Sequence, residues 1–161
     1  MRRPLRTDPL LDATPAGLWR RLCAIAYDAI VLVALCAIAT LLFLPLTNGS
    51  ALSAADTPRL EYVYRLALLA VVAGYSCYCW THGGQTIGML AWRLRVERRD
   101  GRALDWRLAL LRLGAACVAL GAAGLGLVWL LFDAERRAWH DRWTSTRMIV
   151  RPKKTNVSAR A

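Results

Sequence analysis

Apolar residues in this chain gather into three long runs, separated by polar connections rich in arginine. The runs cover about Leu22 to Leu46, Tyr62 to Trp80 and Leu108 to Phe132. Each exceeds the roughly 18 residues that mark a membrane-crossing helix. The pattern predicts an all-α membrane protein, a small polytopic helix bundle. Two runs read as full spanning helices. The third, LALLRLGAACVALGAAGLGLVWLLF, carries Gly114, Gly121, Gly124 and Gly126. Glycine weakens a helix and permits a tight turn. A turn near Gly121 to Gly126 would make this segment a helical hairpin, with arms too short for full spans and shielded by the other helices. A single straight helix is the alternative, since glycine is common in membrane helices.

The connections carry shorter patterns. Arg93 to Leu104, RLRVERRDGRAL, reads as a strand, an Asp-Gly turn and a return, with Leu94 and Val96 on one apolar face. Thr146 to Val150 is a second strand candidate, and the two can pair as a short cytoplasmic β-hairpin-like element. Gly83-Gly84-Gln85-Thr86-Ile87-Gly88 lacks the Lys-Ser/Thr ending of a phosphate loop and reads as a tight turn along the membrane surface. The organisation is a lead over residues 1–15, a membrane domain over 16–151 and a polar, basic tail over 152–161, expected to be disordered.

Composition sharpens this picture. The chain has 161 residues, 57% of them hydrophobic, yet a formal net charge of +11. A soluble nucleic-acid binder would share the charge but not the three apolar runs, so no nucleic-acid partner is expected. Basic residues mark the cytoplasmic side of a membrane protein. Arg2, Arg3, Arg6, Arg20 and Arg21 precede the first run, whereas the connection from Thr47 to Glu61 has only Arg59. The second connection and the tail are again rich in arginine. This bias puts the N-terminus inside, the first loop outside and the second loop inside. Three simple crossings would then expel the basic tail, so the bias favours the hairpin. The lipid bilayer and its anionic headgroups are the expected partners of the basic face. A cleaved signal peptide fits poorly, because the apolar run continues past Ala37-Ile38-Ala39. The five cysteines match neither a redox pair nor a zinc site and read as small packing residues.

Two acids stand out. Asp28 sits inside the first apolar run, where a charge costs about 2.5 kcal/mol or more. Arg21, seven residues earlier, shares its face about 10 Å away and can snorkel to the headgroups. Asp28 needs a cation, a donor, a water-filled cavity or a proton. Depth favours Arg112 over Arg65 as its partner, and Tyr27 and Tyr75 can add hydroxyls. Asp28 reads either as a proton or cation site or as a carboxyl that pins helix packing. Asp141, beside His140 and Arg142, reads as a capping or ion-pairing aspartate. With two histidines in the chain and no ligand cluster, no metal, cofactor or enzymatic activity is expected.

The arginine that opens the first helix, the aspartate within it and the later His-Asp-Arg stretch resemble the RDD family of bacterial membrane proteins. The matching positions are Arg21, Asp28 and Asp141. Supporting matches are Gly84 to Gly88, including Gln85, Thr86 and Gly88, then Leu94 to Gly101, and His140 to Val150 with Thr146. The resemblance spans about Ala16 to Arg151. Relatives often carry a basic residue where Met89 stands, and an Ala-Gly pair where Thr144 and Ser145 stand. The resemblance implies a multi-pass protein of the bacterial inner (cell) membrane and a transport or transport-associated role. The first reading of the residues then makes Asp28 the proton- or cation-exchanging carboxylate, with Arg21 and Arg112 tuning its charge and Asp141 orienting the cytoplasmic mouth. A pathway through so small a chain would call for a homo-oligomer or a membrane-protein partner. The alternative is a non-catalytic adaptor or scaffold in which the Arg/Asp set locks the helix packing.

Overall fold

A computed structural model describes residues 14–47, 58–122 and 124–151. Most of the expected N-terminal lead, the outer loop and the tail lie outside these residues. The first two apolar runs form α1 (Leu18–Phe43) and α2 (Pro58–His82). Both are long and apolar enough to cross a bilayer. At 1.5 Å per residue, their 26 and 25 residues reach about 39 and 37 Å. A short 3-10 turn, Leu44–Thr47, closes α1.

After α2 the chain turns sharply. Gly84 takes φ +68°, and a Cβ there would lie 2.5 Å from the carbonyl oxygen of Val96. Only glycine suits both the left-handed backbone and the close approach. Thr86 then caps α3 (Ile87–Ala91), its hydroxyl accepting from Met89 N–H at 3.2 Å. Arg93 follows at φ 56° and launches β1 (Leu94–Arg98).

β1 pairs antiparallel with β2 (Thr146–Val150), with Leu94 opposite Val150 and Arg98 opposite Thr146. The two predicted strands therefore meet, but the hairpin does not form. The Asp-Gly turn is present, with Gly101 at φ 80° and Arg98 N–H bonded to Arg102 C=O at 3.0 Å. The return strand is missing because Asp105 is already the N-cap of α4, accepting from Leu108 N–H at 2.9 Å. Leu104, just before it, is buried in the core instead. The residues leading into α1 run beside β2, through a bridge from Pro15 to Ile149 and a 2.9 Å bond from Ala16 N–H to Met148 C=O.

The third apolar run breaks where its glycines cluster. α4 (Trp106–Gly121) ends, Gly124 turns at φ 75°, and α5 (Leu125–Val128) with a 3-10 turn (Trp129–Leu131) leaves at 103° to α4. α6 (Trp139–Trp143) and β2 are the last described elements. The hydrophobic core lies at one end of the bundle, where Ala16, Ala24, Met89, Leu94, Val96 and Leu104 pack together. The start of α1, the end of α2, the start of α4, and β1 and β2 all converge there. Away from this end the helices are bare: 6% of the most apolar stretch of α1 is buried. That is the pattern of helices whose solvent is lipid.

Candidate functional site

Asp28 lies half-buried on the face of α1 that meets α3. Its Oδ1 accepts from the Tyr75 hydroxyl at 2.8 Å and from Gly88 N–H at 2.9 Å, and its Oδ2 accepts from the Thr86 hydroxyl. Each hydroxyl is also an acceptor. Tyr75 receives Ile87 N–H at 3.1 Å and Thr86 receives Met89 N–H at 3.2 Å. The three leading N–H groups of α3 thus end on Asp28 or on hydroxyls that hold Asp28. Such groups have no partner within their own helix and must find one elsewhere. Gly88 makes the approach possible: a Cβ there would stand 2.2 Å from Ala24 C=O and 2.8 Å from Asp28 Cγ.

The expected Asp28–Arg112 pair does not form. Among the described residues no cationic side chain is ion-paired with Asp28. Helix depth set the height of Asp28 but not its facing element, and α3 reaches it first. Arg65 pairs instead with Glu61, one turn away on α2. Tyr27 packs edge-on to Trp92, and of the two tyrosines it is Tyr75 that donates to Asp28.

Arg112 joins Arg21 on Asp141. Arg112 donates to Asp141 Oδ1 at 2.6 Å and Arg21 to Oδ2 at 2.5 Å. All three are 98% or more buried. Arg21 therefore does not snorkel: its Nε donates to Ala16 C=O at 3.2 Å and its Nη2 to Arg136 C=O at 3.1 Å. Arg112 also donates to Thr146, whose hydroxyl lies 2.9 Å from that of Thr144. Thr144 donates to His140 C=O at 2.6 Å, so the Thr146 hydroxyl is the donor between the two. The Arg112 guanidinium sits 5.5 Å from the centre of the Trp80 ring.

Asp141 both caps and pairs, as its sequence setting suggested. Its Oδ2 accepts from Ala138 N–H at 3.2 Å, at the start of α6. Burial acts to raise its carboxyl pKa, but the charges of Arg112 and Arg21 outweigh that and hold it well below the usual range. His140 lies with its Nε2 3.5 Å from Asp141 Oδ1. Burial, then the Arg112 charge, pulls its pKa down to about 4, so the imidazole is neutral at pH 7. The cluster thus sets two guanidiniums against one carboxylate and keeps a net positive charge. Among the described residues no group of three or more His, Cys, Asp or Glu side chains has the arrangement of a metal site.

The remaining predicted residues fall around these two nodes. Gln85 bonds β1 at Leu94 C=O, 2.5 Å, and accepts from Arg151 at 3.0 Å. Arg142 points outward, 3.8 Å from Asp133. Ser145 adopts φ 49°, in the left-handed region that favours glycine. Sequence reasoning missed Thr144 and Trp80 as members of the Arg112 setting. A threonine in a tail and a tryptophan at a helix end carry no signal without the fold. A cavity of about 300 Å³ joins the nodes, bounded by α1, α2 and α4 and reached by Asp28, Thr86, Arg21, Arg112 and His140.

No curated protein and no solved structure gave a significant match to the chain. The family model of the RDD family matches residues 15–145, from the strand-like entry beside β2 to the turn at Ser145. With Arg21, Asp28, Arg112 and Asp141 all inside that match, the protein belongs to the RDD family, whose domain is membrane-associated.

Proposed function

We propose that the protein is a non-catalytic membrane module, an adaptor or scaffold, whose Arg21, Asp28 and Asp141 hold its polar end in one shape. It lies in the bacterial inner membrane with that end in the cytoplasm. The arginine bias supports this side. The convergence of the α1 entry and β2 at one end supports an even number of crossings, with the third apolar segment turning back. The basic end then faces anionic lipid headgroups and a protein partner.

The observation that carries this reading is the complete engagement of Asp28. Both oxygens accept from neutral donors, and those donors also cap α3. A cation taking their place would uncap α3 and leave backbone N–H groups without partners, which is costly in a buried setting. One feature favours the second reading, proton or cation exchange: Asp28 lines the cavity between the helices.

Wild type and Asp28→Asn, expressed at matched levels in cells lacking sodium/proton antiporters, separate the two. The adaptor reading expects no cation-driven pH change in everted vesicles from either protein. It also expects Asp28→Asn to lose about 1.5–3 kcal/mol in thermal unfolding, the worth of a charge-assisted hydrogen bond. A wild-type response that disappears in a folded Asp28→Asn would establish exchange instead.

A further inference from the structure

The cavity has a polarity that the Arg/Asp lock does not use. At one end stand Arg21, Arg112 and Trp80. Beyond them the walls turn apolar, with Ala29 and Leu32 on α1 and Ala116 and Leu120 on α4. At 1.5 Å per residue, the eight residues from Arg112 to Leu120 carry this wall about 12 Å along the helix. A volume near 300 Å³ with mostly apolar walls and a few polar groups is at the small end of ligand sites.

Two observations at the polar end point to an anion. First, the ion-paired cluster holds two guanidiniums and one carboxylate: Arg21 and Arg112 share Asp141, and among the described residues neither is ion-paired with Asp28. A buried charge without a counter-charge is strongly disfavoured. Second, Arg112 Nε and Trp80 Nε1 are buried and have no hydrogen-bond partner. Both groups can only donate, so what they lack is an acceptor.

We infer that this cavity takes one anionic phospholipid from the adjoining leaflet, its singly charged phosphodiester against Arg112 and Trp80 and one acyl chain along α1 and α4. A soluble anion would satisfy the donors but leave the apolar walls unfilled. A neutral hydrocarbon would fill the walls but leave the charge uncompensated. A phospholipid does both, in the orientation it already has in a bilayer, with its head at the polar end of the helices. The inference rests on the membrane reading of α1 and α2, not on the adaptor role.

The test uses the full chain in a mild non-ionic detergent, titrated with dioleoyl phosphatidylglycerol or dioleoyl phosphatidylcholine and read by native mass spectrometry. The expected result is one phosphatidylglycerol retained about tenfold more tightly than phosphatidylcholine, a difference of about 1.4 kcal/mol. Trp80→Phe keeps a ring and deletes one donor. It should weaken both lipids about fivefold, one hydrogen bond's worth, because both carry the phosphodiester that Trp80 would bond. Ala116→Phe fills the apolar wall without touching a charge and should abolish the preference. Equal binding of the two lipids, a preference that survives Ala116→Phe, or a Trp80→Phe that binds phosphatidylglycerol as tightly as wild type would overturn the assignment. If Ala116→Phe does not fold, Trp80→Phe at wild-type melting temperature decides. The flux and melting measurements on Asp28 are indifferent to lipid preference, so the two proposals fail separately.

Discussion

Gly88 is the residue on which the Asp28 node turns. Alanine in place of an exposed helical glycine ordinarily gains about 0.5–1 kcal/mol. Gly114, with nothing within 4 Å of its absent Cβ, should behave that way. At Gly88 the sign reverses, because the methyl group would press on Ala24 C=O and Asp28 together. Gly88→Ala is expected to cost about 1–3 kcal/mol in thermal unfolding, the range for overpacking. At this scale the sequence shows which residues matter and hides their partners. Arg21, Asp28 and Asp141 are conspicuous because charges are costly next to apolar runs. Position along a helix gives their height only. Arg112 went to Asp141, and Asp28 went to two hydroxyls and a backbone N–H, which no charge-matching rule selects.

Among the elements, Asp141 is the tie between α1, α4 and α6, and it also caps α6. Asp141→Asn preserves shape but leaves two buried guanidiniums without a counter-charge. The expected loss is about 3–5 kcal/mol, seen as a lower melting temperature in detergent. Glu135→Gln, at an acid 62% exposed, should stay within about 0.5 kcal/mol and serves as control. Elements were legible wherever a local rule governs them. Apolar length gave α1 and α2, alternation gave β1 and β2, and clustered glycines gave the break after α4. The failed hairpin shows the limit: the Asp-Gly turn formed, but capping α4 with Asp105 claimed the residues that a return strand needs.

For the molecule as a whole, stability should respond to pH through His140. In the unfolded chain the imidazole gains its proton near its ordinary pKa of about 6.5, whereas the folded one waits until about 4. Between these values the unfolded state holds more protons, so stability falls as pH falls. Each unit of such a shift is worth about 1.4 kcal/mol. Denaturation followed from pH 7 down to pH 4 should show this slope, and His140→Gln should flatten it. Asp141 adds to the slope in the same direction at the acid end of this window, where its unfolded carboxyl begins to take up a proton and the folded one stays ionised. Convergence of the first and last described elements on one core was not legible locally, since it depends on contacts between them.

Those contacts carry a consequence for biosynthesis. The partner of Arg21 lies 120 residues downstream. At about 5–20 residues per second, a ribosome takes roughly 6–24 s to deliver it. During that interval α1 is complete, but its arginine has no carboxylate and its leading residues have no β2 to lie against. Among the described elements, α6 and β2 are made last, and they complete the setting of α1, which is made first. A chain that stops before Trp139 would present an unpaired guanidinium and an open strand edge, a mark by which cellular proteolysis can tell an unfinished copy from a finished one.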